Sequence, residues 1–277
     1  MPLPPTSRPP VSRSVESLIV GHDGAARPGL RAVPEEVPVS LVYSSVPFAV
    51  MMLTPSDLED FAYGFSLTEG IVTGAEGIRE VAVGQEARGL RLDIRLAPSA
   101  LTQHLARRRS IAGRTGCGLC GIEELDQMPQ AVRPEGAAPA IDMPAIRRAL
   151  AELEQNQPLN DATRAVHAAA FAGADGALRA VREDVGRHNA LDKLAGALMR
   201  GGVRAAEGFV IVTSRCSFEL VEKAASIGAR TLVAISAPTA LALDRARALD
   251  MNLVAVARRD TVAVFHGMER VRDGVAG

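Results

Sequence analysis

Two of the three cysteines, Cys117 and Cys120, stand in the stretch GRTGCGLCGIEEL, spaced C-x-x-C between glycines at 116, 118 and 121. Glycine on both sides of a cysteine pair packs poorly and leaves the sulfurs open to approach. Four chemistries use such a pair. A structural zinc needs four ligands. There is no second C-x-x-C, and His104, His167, His188 and Cys216 are distant in sequence. A thioredoxin-like redox pair belongs at a strand-to-helix junction opening a βαβ unit, and this pair falls in a Gly- and Pro-rich stretch without hydrophobic period. GCGLCG also matches G-x-G-x-x-G literally, but no strand precedes it and no helix follows before Pro129, so the nucleotide reading lacks its context. The remaining chemistry is sulfur carriage. A cysteine thiolate attacks a donor persulfide and takes its outer sulfur, by the exchange that also makes disulfides. Arg114 and the run Arg107–Arg109 would favour the thiolate. On chemistry alone, sulfur carriage ranks slightly above a reversible disulfide.

Three polar turns lie further along. In REDVGRHN, Asp184, Gly186, Arg187, His188 and Asn189 sit where a strand gives way to a helix. Exposed N–H groups at a helix start bind anions, and Arg187 adds a fork. The plainer reading makes Asp184 or Asn189 a cap and His188 a surface residue. SRCSFEL repeats the junction. Ser217 suits the N-cap, and Arg215, Cys216 and Ser217 fall at the carboxyl end of a strand, where open α/β sheets bind ligands. Cys216 reads as a small buried filler. SAPT, Ser236 to Thr239, is the third, with Pro238 suited to a helix start.

The elements that must position these groups follow from periodicity. VPVSLVY and PFAVMML read as a hairpin. TPSDLEDFAYGFSLTEGI reads as a helix with Thr54 at the N-cap, Pro55 in its first turn and Asp57 at capping-box spacing. Leu58, Phe61, Ala62 and Phe65 recur at helical spacing and belong to a core. Two more strands, IREVAVG and LRLDIRLA, and a helix ending in arginines complete a ββαββα unit over residues 35–109. Residues 110–141 read as a flexible loop carrying the cysteine pair. Beyond it, continuous apolar strands alternate with amphipathic helices, the pattern of an α/β sheet covered on both faces. The fold class is thus α/β, α+β overall, with an α/β domain at 142–277. Residues 1–34 read as a Pro-rich disordered tail and lead-in.

Composition narrows the function classes. The 277-residue chain has net charge −1 and 3% aromatics without Trp. Neither nucleic acid nor an anionic membrane is indicated as main partner. Lys193 and Lys223 are its only lysines. The arginines that replace the rest suit phosphates, though codon bias explains most of them. No signal peptide or membrane-spanning run is seen, which points to the cytoplasm.

Four segments, LTPSDLEDFAYGFSLTEGI, GCGLCGIEEL, VREDVGRHNALDKL and CSFELVEKAA with its continuation VAISAPTALA, together resemble the formate dehydrogenase accessory sulfurtransferases, the FdhD family. The resemblance implies a C-terminal domain of cytidine-deaminase-like three-layer fold, a smaller N-terminal α+β domain, and a homodimer. It implies that sulfur comes from a cysteine desulfurase as a persulfide on Cys117, with Cys120 assisting. The sulfur then passes to the molybdenum bis(molybdopterin guanine dinucleotide) cofactor destined for the formate dehydrogenase catalytic subunit. That cofactor is bound as substrate, with no tightly bound catalytic metal. The cofactor-contacting segment maps by position to Val256, Ala257, Arg258, Arg259, Asp260 and Thr261. Arg187, His188, Arg215 and Ser217 are expected to share the task. Relatives usually carry a Gly-Gly pair where Arg164 and Ala165 stand, so Arg164 is expected to fill that space or meet a phosphate, which puts His167 in question as a site residue. Deaminase chemistry is not expected, since His-x-Glu and Pro-Cys-x-x-Cys are absent. The competing class is a non-catalytic cofactor chaperone with a redox or zinc-binding cysteine pair.

Overall fold

The computed structural model describes residues 9–108, 131–258 and 260–272. The first part of the chain runs β1 (Ser12–Val20), β2 (Ala26–Pro34), β3 (Val37–Tyr43), β4 (Val46–Leu53), α1 (Leu58–Thr68), β5 (Ile78–Glu86), β6 (Gly89–Leu96) and α2 (Pro98–Arg108). Strands β3 to β6 form a sheet in the order β4-β3-β6-β5, with β3 and β6 parallel and the two hairpins antiparallel. The ββαββα order matches the hydrophobic patterning. Val39, Leu41, Tyr43, Leu53, Leu92 and Ile94 line one core with Leu58, Phe61 and Phe65 of α1. His104, one of the distant zinc candidates, packs in this core against the rings of Tyr43 and Phe48.

Two features depart from the sequence reading. The lead-in is folded: β1 and β2 pair antiparallel along their whole length, Ser12 opposite Pro34 and Val20 opposite Ala26. Helix α1 starts at Leu58, with Asp57 in the left-handed region (φ 50°) and no side-chain cap. Thr54 and Pro55 therefore lie outside it, and Thr54 serves a distant partner described below.

The second part runs β7 (Ile141–Asp142), α3 (Met143–Glu154), α4 (Pro158–Thr163), β8 (His167–Gly173), β9 (Leu178–Asp184), α5 (Arg187–Arg200), β10 (Gly208–Val212), α6 (Phe218–Ser226), β11 (Thr231–Ala234), α7 (Ala240–Ala248), β12 (Asn252–Ala255), β13 (Ala263–His266) and β14 (Val271–Arg272). Asp142 caps α3 by accepting from the Ala145 N–H, and Pro144 sits in its first turn, where a missing N–H costs nothing. Six strands form one sheet, ordered β13-β12-β11-β10-β8-β9. The middle three are parallel, joined by α6 and α7; β8, β9 and β13 run antiparallel to their neighbours. Alternate residues face opposite layers. Val210, Val212, Leu232 and Leu253 pack on the side of α5, α6 and α7. Ile211, Val233 and Val254 pack on α3 through Ile146, Ala149 and Leu150. The result is three layers, helix–sheet–helix.

The two parts join where α1 crosses α5. A Cβ placed on Gly64 would come within 1.7 Å of the Asp192 carbonyl oxygen, and one on Gly196 within 1.8 Å of the Asp60 carbonyl oxygen. The helix backbones touch at these two glycines, where any side chain would hold them apart.

Candidate anion site at the carboxyl edge of the sheet

Strands β10, β11 and β12 end on the same edge of the sheet, the edge at which ligands bind in open α/β folds. β8 and β9 run oppositely to one another, so the start of β8 and the end of β9 share that edge: His167 stands in register with Asp184. The turn leading from β9 into α5 is held from within by Asp184, which is fully buried. Its Oδ1 accepts from the Gly186 N–H (2.8 Å) and Asn189 Nδ2 (3.0 Å). Its Oδ2 accepts from the Thr54 N–H (3.0 Å) and meets the Lys193 ammonium at 2.7 Å. Asp184 thus shapes the turn, and the N-cap position of α5 falls to Gly186, which offers no side chain.

Arg187 and His188 emerge from this turn. Arg187 is half-buried and makes no hydrogen bond or ion pair among the described residues. Nε2 of His188 is buried and has no hydrogen-bond partner there either. Burial, reinforced by the Arg187 and Lys223 cations, pushes the His188 imidazole down to about 4, against the weaker pull of Glu219 and Glu69. The ring is therefore neutral at physiological pH. His167 is also held below the ordinary imidazole range, by burial and then by Arg187, with Asp184 opposing.

The next turn, after β10, is tied to the start of β8 by Thr213, whose hydroxyl accepts from the Ala168 N–H (2.9 Å). Arg215 is exposed; its carbonyl accepts from the Ser214 hydroxyl (3.1 Å), and its guanidinium makes no hydrogen bond or ion pair among the described residues. Ser217 occupies the N-cap of α6, as its sequence position indicated, but its hydroxyl does not cap the helix. Glu219 lies beside it. Burial raises that carboxyl, and the Ser217 hydroxyl, the backbone and the nearby His188 and Arg187 outweigh burial and hold it below its ordinary range. Cys216 is fully buried, and burial alone pushes its thiol up to about 12, so it is the inert filler the sequence indicated. The Cys216 N–H donates to Ala237 O and the Thr239 N–H to Cys216 O. These bonds stitch this turn to the one before α7. There Thr239 is the N-cap, accepting from the Ala242 N–H (3.2 Å), and Pro238 precedes the helix.

The segment 256–261 continues the same edge. The Val256 N–H donates to Ser236 O. Val256 itself is held at φ 51°, a conformation that costs a β-branched residue about 1–2 kcal/mol. Ala257 is buried in the α3-side core. The Arg258 N–H donates to Thr261 O, and its guanidinium donates to the carbonyls of Ile235 and Ala257. Arg258 thereby spends part of its donor capacity within the protein. Asp260 and Thr261 are exposed. Arg259, Cys117 and Cys120 lie outside the described residues. Arg164, expected to fill space beside a ligand, instead ends α4 in the left-handed region (φ 55°) and pairs with Asp161 at 3.4 Å. Among the described residues no cluster of three or more His, Cys, Asp and Glu side chains is arranged to hold a metal ion.

A second buried cluster, which sequence reasoning missed, stands behind His188. The Lys223 ammonium donates to Asp192 Oδ1 (2.8 Å) and Oδ2 (3.0 Å), Thr68 Oγ1 (2.9 Å) and Glu69 Oε1 (3.3 Å). Burial raises the Asp192 carboxyl and Lys223 pulls it back; burial lowers the Lys223 ammonium, and its two carboxylates outweigh that and raise it.

The model of the family described as FdhD/NarQ matches residues 34–272. The chain belongs to the FdhD/NarQ family. It is 47% identical over 240 residues to a Cupriavidus necator protein named sulfur carrier protein FdhD, covering 87% of this chain and 83% of that one. It is 44% identical over 273 residues to the protein of that name from Xanthomonas euvesicatoria, covering 98% and 97%. Among solved structures, a Desulfotalea psychrophila protein described as a formate dehydrogenase accessory protein superposes with a TM-score of 0.74 at 25% identity, over 95% of this chain and 100% of that one. The mixed α/β fold is thereby shared with a family crystal structure.

Proposed function

We propose that this chain is a sulfur carrier for formate dehydrogenase maturation. In this reading it takes persulfide sulfur from a cysteine desulfurase and delivers it to the molybdenum bis(molybdopterin guanine dinucleotide) cofactor bound as substrate. The observation that carries the cofactor half is the pair of helix starts, α5 and α6, whose N-cap residues give no side-chain hydrogen bond to the helix N–H groups. Arg187 and buried His188 Nε2 stand there unspent on any described residue. Unsatisfied N–H groups at a helix start, with a guanidinium beside them, suit phosphate oxygens. A neutral imidazole can donate from Nε2 or take up a proton as a polyanion arrives. Arg215 and the segment carrying Arg258 extend this basic edge from the end of β9 to the end of β12, roughly four strand spacings or about 19 Å. That span is long enough for an extended nucleotide.

The names of the relatives support the sulfur half, as does the C-x-x-C pair. The Cys117 thiolate attacks the outer sulfur of the donor persulfide; the donor S–S bond breaks and the donor leaves as a thiolate. Cys117 then holds the persulfide. Attack by the Cys120 thiolate on its inner sulfur releases sulfide for the metal and leaves a Cys117–Cys120 disulfide, which a cellular thiol reduces. The protein works in the cytoplasm as a homodimer. The ribbon β1–β2 supports the dimer: Leu18, Val20 and Leu30 are 66%, 60% and 70% exposed on it. By register Leu30 lies opposite Glu16 and Leu18 opposite Pro28, so the three share a face.

The deciding experiment incubates purified protein with a desulfurase and cysteine, then weighs it. One added sulfur on Cys117 is expected, with Cys117→Ala still binding guanosine diphosphate but failing to activate formate dehydrogenase. Full activation by Cys117→Ala would replace this reading with that of a cofactor chaperone.

A further inference from the structure

We infer that Asp184 is a positioning residue for the anion crevice, fixing the turn that presents Arg187 and His188 and fastening it to the first part of the chain. The inference rests on the crevice binding an anion, as proposed above, and assigns the group that makes the crevice rigid. Its carboxylate reaches four donors from four places: the Gly186 N–H inside the turn, Asn189 on the first turn of α5, Lys193 one turn further on, and the Thr54 N–H at the end of β4. Three of those four partners make a second tie across the same junction. Thr54 Oγ1 accepts from the Val185 N–H (3.1 Å), Asn189 Nδ2 donates to Met52 O (2.9 Å), and Lys193 donates to Thr54 O (3.0 Å).

Electrostatics explains why a carboxylate can stand behind a site for anions. Asp184 and Lys193 are both fully buried and in direct contact, so the pair presents almost no net charge to the crevice. The positive field at the turn is then that of Arg187 and the α5 helix start. A carboxylate with all its lone pairs engaged is also a stiff group, because each displaced donor would be left unpaired in apolar surroundings. A preorganised turn holds Arg187 and the His188 ring in place before the anion arrives, which saves ordering entropy at binding.

The test is a double-mutant cycle on the full chain with inorganic pyrophosphate as probe, read by calorimetry and, for weak affinities, by phosphorus NMR. Asp184→Asn is expected to weaken pyrophosphate about tenfold, but less than about twofold in an Arg187→Ala background, because its effect passes through that side chain. A general loss of stability would weaken both backgrounds alike, and equal losses overturn the inference. So does unchanged affinity in Asp184→Asn. If Asp184→Asn does not fold, Asp184→Asn with Lys193→Met takes its place in the same cycle, since removing both charges leaves no uncompensated ion. Wild-type protein that ignores pyrophosphate removes the crevice reading, and this inference with it. Binding by wild type without coupling to Arg187 removes the inference alone.

Discussion

Lys193 and Lys223 carry the chain's only side-chain ammonium groups, and each is buried in a nest of oxygens drawn from both parts of the molecule, Lys193 between Asp184 and the Thr54 carbonyl and Lys223 between Asp192 and Glu69. A compact ammonium with three rotatable donors fits such a nest, where the broad planar guanidinium would not. In the sequence, the abundance of arginine reads as codon bias; the informative residues were the two that escaped it. Local pattern could not name their partners in the first part of the chain, because Thr54, Thr68 and Glu69 lie more than a hundred residues away. Lys223→Met is expected to destabilise the fold by roughly 3–5 kcal/mol, since it removes the cation that faces fully buried Asp192; urea unfolding measures it. His188 sets a pH dependence of its own. The folded protein keeps it neutral down to about 4, while an unfolded imidazole takes a proton near about 6.5. Between those values the unfolded chain binds more protons, so stability falls as pH falls through this window. The loss attributable to His188 approaches about 3 kcal/mol at its acid end. His188→Gln is expected to flatten that part of the stability–pH curve, measured by denaturant melts from pH 7 to 4.

The elements were largely legible because their periodicities are strong: the ββαββα order and the alternating strands and helices after residue 142 both stand in the structure. The start of α1 shows where local signals lose. TPSD has the spacing of a capping box, yet the N–H, hydroxyl and carbonyl of Thr54 are all engaged by Asp184, Val185 and Lys193. A tertiary network with three bonds outweighs one cap worth about 1 kcal/mol. The ribbon β1–β2 was missed for a different reason. It carries Pro28, Gly29 and Pro34 and buries no residue fully, so it lacks the contrast on which strand recognition depends. The crossing of α1 and α5 was equally hidden, since a glycine inside a helix pattern says nothing of what approaches it. Gly64→Ala and Gly196→Ala are each expected to cost about 3 kcal/mol or more, because the added carbon meets a backbone oxygen that cannot turn aside. Thermal unfolding of the two variants checks this.

Over the whole molecule, the polar turns that read as three separate helix starts share one edge: backbone bonds between Cys216, Ala237, Thr239, Ser236 and Val256 join the turns before α6 and α7, and the start of β8, bonded to Thr213 and in register with Asp184, links them to the turn before α5. Only the parallel order of β10, β11 and β12 could reveal that continuity, and strand order is not written in local pattern. The cysteine pair stays a sequence-level assignment, since it falls outside the described residues. The ribbon gives the molecule its testable surface. An isolated pair of strands is marginal in water, and an apolar face on it calls for a cover. If the proposed dimer forms through this face, wild-type protein is expected to scatter light as a dimer and Leu18→Asp combined with Leu30→Asp as a monomer, with the far-ultraviolet spectrum unchanged. A monomeric wild type overturns the dimer, and a dimer that survives both charges places the contact elsewhere.

The paired glycines and the two lysine nests also bear on how this polypeptide can be divided. Each nest takes its cation from the later half and part of its oxygen cage from the earlier one. A gene cut between the halves would yield fragments with bare lysine nests and an uncovered helix groove. Such fragments are complementary by charge and shape, the condition for two separately made pieces to reassemble into one working whole.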